Sequence, residues 1–146
     1  MNPKPDKEPG ITFGQTTQSD RAITLKLDDY VWRLVDPTNP NGPQMATLWG
    51  DPTSGAYGAL LRVPAGFESP MHRHSHDERV VVIRGTSVHW TEGETREMAP
   101  LMTTGDYMLM PAGINHISAA APGEDCIEFI TQDGPFDFIL ELASEK

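Results

Sequence analysis

Four histidines and one glutamate carry the chemistry this sequence can do. His72, His74 and His76 alternate in the run HRHSHDE, Glu78 closes that run, and His116 follows about 40 residues later. Residues i and i+2 of a β-strand face the same way, with Cα atoms roughly 6.5–7 Å apart. Two imidazoles from this run can therefore converge on one ion, whether His72 with His74 or His74 with His76. In the first register a turn near Ser75–Asp77 lets a returning strand aim Glu78 back at the ion; in the second, Glu78 continues the same strand. His116 can close the set from a separate strand. Three imidazoles and a carboxylate suit Fe(II), Mn(II), Ni(II), Cu(II) or Zn(II). Tetrahedral zinc would be saturated by four ligands. An octahedral ion keeps two positions for a bidentate oxygen ligand, or for ligand and O₂. Alone, HRHSHDE equally suits a solvated histidine-rich turn.

The elements that must position these residues read as strands. ITLKLDD and YVWRLVD alternate apolar and polar residues, the period of a half-buried strand. MATLWG and AYGALLRV flank the turn DPTSG and read as a hairpin. Strands follow in SPMHRH, DERVVVIRG, TSVHWTE, GDYMLM, NHISAA and CIEFITQ, and PFDFILELA suits a strand or one helical turn. Short strands between turn signals, with no long amphipathic helix, predict an all-β sandwich or barrel. Residues 1–22 are polar and proline-rich and read as an N-terminal arm; residues 23–146 read as one domain.

The spacing of glycines around the histidines is informative. Gly66, five residues, His72, one residue, His74, three residues, Glu78, six residues, Gly85 forms one block; Gly105, five residues, Pro111, one residue, Gly113, two residues, His116 forms another. Together they resemble the two motifs of the cupin superfamily at nine of ten positions. The tenth, an asparagine in the motif, is Ala120 here. The resemblance covers residues 58–131 and selects His72 and His74, with His76 turned away. It implies a double-stranded β-helix, a jelly-roll barrel with metal in its mouth, and His72, His74, Glu78 and His116 as metal ligands. WGDPTSGAYGALLRVPAGFESPMHRHSHDERVVVIRG and TQDGPFDF are similar to the small bacterial cupins near acetylacetone dioxygenase, dihydroxyacetophenone dioxygenase and ChrR-type anti-sigma domains. The expected function is a metal-dependent dioxygenase, with Fe(II) favoured over Zn, Mn or Ni, that cleaves a small diketone or hydroxyketone. An isomerase or lyase using the ion as Lewis acid, and a non-catalytic metal or ligand sensor, are the rivals.

Composition sets the outer bounds. At 146 residues the chain has the size of one domain. Gly and Pro, 13 each, form about 18% of it, which suits turns and argues against a helical bundle. The formal net charge is −10, which repels nucleic-acid phosphates and anionic membranes. No apolar run reaches the roughly 18 residues of a membrane span. The first ten residues lack the apolar stretch of a secretory signal, and one cysteine, Cys126, makes no intrachain disulfide, so a cytoplasmic location is expected. Strand parity places Val80 and Val82 inward with Glu78, and Val81 and Ile83 outward. That outer apolar face predicts a homodimer, or cover by the N-terminal segment. Met71, Met108, Met110, Phe67 and Trp90 read first as barrel core and second as cavity wall. Arg62 and Arg79 read as surface charges, His89 as an ordinary strand histidine and Cys126 as buried and inert.

Overall fold

Alternating strands have one face to bury, and here they bury it against each other across two antiparallel sheets. The structure, a computed structural model, describes residues 20–141. Its strands are β1 (Arg33–Leu34), β2 (Gln44–Gly50), β3 (Tyr57–Val63), β4 (His72–Arg73), β5 (Glu78–Arg84), β6 (Ser87–Thr91), β7 (Tyr107–Met110), β8 (His116–Ala120), β9 (Cys126–Gln132) and β10 (Ile139–Leu140). One sheet runs β1-β2-β3-β9-β5-β7 and the other β10-β4-β8-β6. Strand β9 lies between β3 and β5, and β8 between β4 and β6, the interleaving of a jelly-roll barrel. The all-β, cupin-type fold expected from the sequence is the fold observed.

Parity fixes what faces the interior. Along β5, Glu78, Val80 and Val82 are buried; along β9, so are Cys126, Glu128, Ile130 and Gln132. Met45, Tyr57, Ala59, Val80 and Ile130 form one core cluster, and Val63, Val82, Met102, Ala120 and Cys126 another. Outside, Ile83 is 44% exposed beside Tyr107 and Leu109 of the edge strand β7. Trp32 lies under the Arg62 guanidinium, 4.4 Å from ring centroid to Cζ, so the segment before β1 covers only part of this outer face. Gly85 ends β5 at φ +79°, and a Cβ there would stand 2.6 Å from the Asp125 carbonyl oxygen, so the turn into β6 requires glycine.

Two strand expectations need correction. ITLKLDD is not a strand: Leu27–Asp29 form a 3₁₀ turn, in which Asp29 N–H donates to Lys26 O (2.8 Å) and Lys26 N–H to Asp29 Oδ2 (3.2 Å). These local bonds take groups that a strand ladder would use. YVWRLVD contributes only Arg33–Leu34, paired to β2. PFDFILELA supplies the short strand β10, paired to β4. Apart from residues 20–22, the expected arm lies outside the described residues. Among the described residues, no helix is long and apolar enough to cross a membrane.

Candidate metal centre

The register of two short strands brings the first pair of histidines together. His72 of β4 stands opposite His116 of β8, with ring centroids 4.2 Å apart. His74 follows one alternation beyond His72, its ring 4.9 Å from His72 and 5.2 Å from His116. The loop leading to His116 is laced to the histidine turn: Gly113 N–H donates to His74 O (2.9 Å) and Ala112 N–H to Asp77 Oδ1 (2.8 Å). Gly113 holds φ +79°, the bend that the second motif requires. Glu78, at the start of β5 in the opposite sheet, brings Oε2 to 3.5 Å from His74 Nε2.

Hydrogen bonding fixes which nitrogen each ring offers. His72 Nδ1–H donates to Pro70 O (2.9 Å), His74 Nδ1–H to Asp137 O (2.6 Å) and His116 Nδ1–H to Ile114 O (2.8 Å). All three rings carry the proton on Nδ1 and present Nε2 as a lone pair, the arrangement of metal-binding imidazoles with backbone support. His116 Nε2 is buried without a hydrogen-bond partner. Each ring has a ligand atom within 4.8 Å of the others, so His72, His74 and His116 could hold one metal ion. The residues present fit a metal because a buried, unpartnered nitrogen is costly unless something accepts its lone pair.

Burial also keeps the His72 and His116 rings neutral. It lowers His72 to about 3 and His116 to about 4, with the neighbouring histidines adding to the shift and the backbone bonds to Pro70 and Ile114 opposing it. It raises the Glu78 carboxyl, with His74 pulling the other way. The metal-free protein should therefore lose stability as pH falls below 6.5. There the unfolded chain protonates both imidazoles and the folded chain does not, so stability drops toward pH 4. Glu78, whose carboxyl is raised by burial, acts in the opposite sense and reduces the slope. Urea denaturation of chelator-treated protein at pH 7, 6 and 5 measures this, and an unchanged midpoint contradicts it.

Two members of the triad, His72 and His74, line a cavity of about 450 Å³ together with Glu78, walled by Leu61, Val63, Phe67, Phe136 and Phe138. Phe138 stacks on His72 with centroids 4.0 Å apart and 15° between planes. Asp137 anchors this wall: Oδ1 accepts Ser75 N–H (2.9 Å) and Oδ2 accepts the Ser75 hydroxyl.

The sequence-predicted residues thus divide. His72, His74 and His116 converge; Glu78 stands beside His74 at 3.5 Å but is not among the ligand atoms that lie within 4.8 Å of one another. His76 does not converge: its ring packs on Gly134, where a Cβ would meet Nε2 at 2.2 Å, and its Nδ1 is buried without a partner. Of the five candidate wall residues only Phe67 lines this cavity. Arg79 pairs loosely with Asp133 at 3.8 Å, outside the cavity. Cys126 is fully buried, its thiol pushed up to about 12 by burial and by Glu128. Sequence reasoning missed Asp137, Phe136, Phe138 and Glu128, and took His89 as ordinary although it lines the cavity. Parity carried a signal for Glu128, an acidic residue at an inward position of CIEFITQ. PFDF was marked only by the likeness of TQDGPFDF to small bacterial cupins, which gave its residues no place in the site.

Comparison with known proteins agrees with this fold. The family described as "Domain of unknown function (DUF4437)" matches residues 24–144. The DNA damage-repair/toleration protein DRT102 of Arabidopsis thaliana is 36% identical over 100 residues, 68% of this chain; the chain spans only 30% of that relative's length. Among solved structures, the anti-sigma ChrR in complex with SigE from Rhodobacter sphaeroides is 26% identical with TM-score 0.57, over 74% of this chain and 51% of that one. The polyketide cyclase RemF from Streptomyces resistomycificus has TM-score 0.65 at 16% identity, over 85% and 89% of the two chains. Further neighbours are RmlC-like cupins. The chain belongs to the DUF4437 family and has the fold of the cupins.

Proposed function

We propose that the protein is a mononuclear Fe(II) dioxygenase acting on a small diketone or hydroxyketone, with the ion held by His72, His74, Glu78 and His116. The observation that carries this reading is the convergence of His72, His74 and His116, with His72, His74 and the buried Glu78 carboxyl lining a largely apolar cavity. Bound iron supplies redox chemistry and Lewis acidity at that wall. The chain's own residues do the rest. The backbone carbonyls of Pro70, Asp137 and Ile114 hold the three rings in one tautomer and orientation. Phe67, Phe136 and Phe138 give an oxygen-chelating organic molecule an apolar seat and keep bulk water from it. Glu78 adds negative charge that offsets the charge of a divalent ion.

Protein loaded anaerobically with Fe(II) should consume O₂ when given acetylacetone or related diketones and hydroxyketones, and the Zn(II) form should not, because zinc has no redox chemistry. Turnover of such a substrate that proceeds equally well without O₂, with Zn(II) or Mn(II), transfers the assignment to an isomerase or lyase. A second reading, a non-catalytic sensor, is favoured by the likeness to ChrR. The cavity beside the triad argues for a site that receives a molecule as well as an ion.

A further inference from the structure

The cavity has two polar ends. Opposite the histidine triad, Glu128 of β9 and His89 of β6 line the same space. Glu128 is 2% exposed and the His89 side chain 5%. The Ser87 hydroxyl donates to Glu128 Oε1, His89 Nε2 lies 3.4 Å from that oxygen, and the Cys126 thiol 3.8 Å from it. The far side of the His89 ring is fixed by Ser118 Oγ, 2.9 Å from Nδ1. Burial alone would raise the Glu128 carboxyl, but His89, Ser87 and Cys126 outweigh it and hold it below its ordinary value, in the anionic form. All of these contacts fall on Oε1. Oε2 takes no hydrogen bond among the described residues, on a carboxylate that lines a cavity.

Register measures the separation of the two ends. Glu78 pairs with Gln132 and Val82 with Glu128, so the two inward carboxylates stand four residues apart along paired strands, about 13 Å between Cα positions. Leu61, Val63 and Phe67 line the cavity with them. With Oε1 taken up by its neighbours, Oε2 is the oxygen of this cavity-lining carboxylate left to accept from a donor that enters the cavity.

We propose that Glu128 is a second binding pole of the cavity, its Oε2 accepting a hydrogen bond from a hydroxyl or amino group at the end of the ligand remote from the metal. The ligand is then an oxygen chelator of several bonds' length with an apolar middle and a distal donor. This rests on the reading that a diketone-like molecule chelates at the triad.

Benzoylacetone and its para-hydroxy derivative test it, since both offer the same diketone and only one carries a distal donor. Titrated into Co(II)-loaded protein and read by the cobalt absorption band, the hydroxy compound should bind about tenfold or more tightly than benzoylacetone. Glu128→Gln, with full cobalt content as the check that the barrel is intact, should reduce that preference to a few-fold or less. If wild type binds both compounds equally while the band responds to each, the second pole is wrong and chelation at the triad stands. If the preference survives unchanged in Glu128→Gln, the donor is read elsewhere and the proposal falls. If neither compound perturbs the band, diketone chelation itself fails, and the ligand class proposed here goes with it.

Discussion

Replacing His116 with alanine should empty the metal centre. Wild-type protein purified without chelators and reloaded should carry close to one equivalent of metal by elemental analysis; His116→Ala should carry almost none. His116 is one of only three convergent imidazoles, and its Nε2 has no other partner. Loss of a residue that merely supports a ligand costs about 10–100-fold in affinity, so loss of a ligand should exceed that, by more than about 100-fold. The same treatment of His76 is the control. Its ring packs on Gly134, away from the triad, and His76→Ala should keep its metal. Full occupancy in His116→Ala would overturn the assignment of the triad, and loss confined to His76→Ala would restore the alternative register of HRHSHDE.

Tyr57→Ala should be the most destabilising substitution among those that leave the triad untouched. Tyr57 is the largest of the fully buried side chains and sits in the core cluster with Met45, Ala59, Val80 and Ile130. Its hydroxyl donates to Gln132 Oε1 at 2.5 Å, and Gln132 Nε2–H donates to His76 O at 3.1 Å. Truncating a buried aromatic side chain costs about 3–5 kcal/mol, against a total of about 5–15 kcal/mol for a domain. The melting temperature should drop by about 10–20 °C. Tyr57→Phe keeps the packing but leaves Gln132 Oε1 without its donor, about 1–3 kcal/mol. Thermal melts of the chelator-treated variants separate the two contributions. Equal melting temperatures for wild type and Tyr57→Ala would mean that this core cluster does not bear the fold.

Much of this centre was legible because its residues are local in sequence or set by parity. His72, His74 and Glu78 lie within one strand-turn-strand unit, and the inward series Glu78, Val80, Val82 follows from the two-residue period of a strand. His116 was legible through its spacing from Gly105, Pro111 and Gly113. What was not legible depends on long-range pairing. Asp137 orients His74 from 63 residues away, and Phe138 stacks on His72 only because β10 joins the edge of the smaller sheet. His89 and Glu128 meet across the barrel from strands of different sheets. The segment ITLKLDD failed for the complementary reason. Its alternation is that of a strand, but bonds between Lys26 and Asp29 close a turn instead.

The late position of β10 in the chain has a consequence for the order in which the protein is made. β4 is a two-residue strand whose neighbours in its sheet are β8 and β10. His74 receives its orienting carbonyl from Asp137. During synthesis the HRHSHDE run leaves the ribosome long before either support exists. Until residues 116 and 137–140 follow, these histidines lie on an unsupported loop, and closing loops of this length is the slow part of folding a β-barrel. The triad and its backbone support are therefore complete only once β10 has docked beside β4.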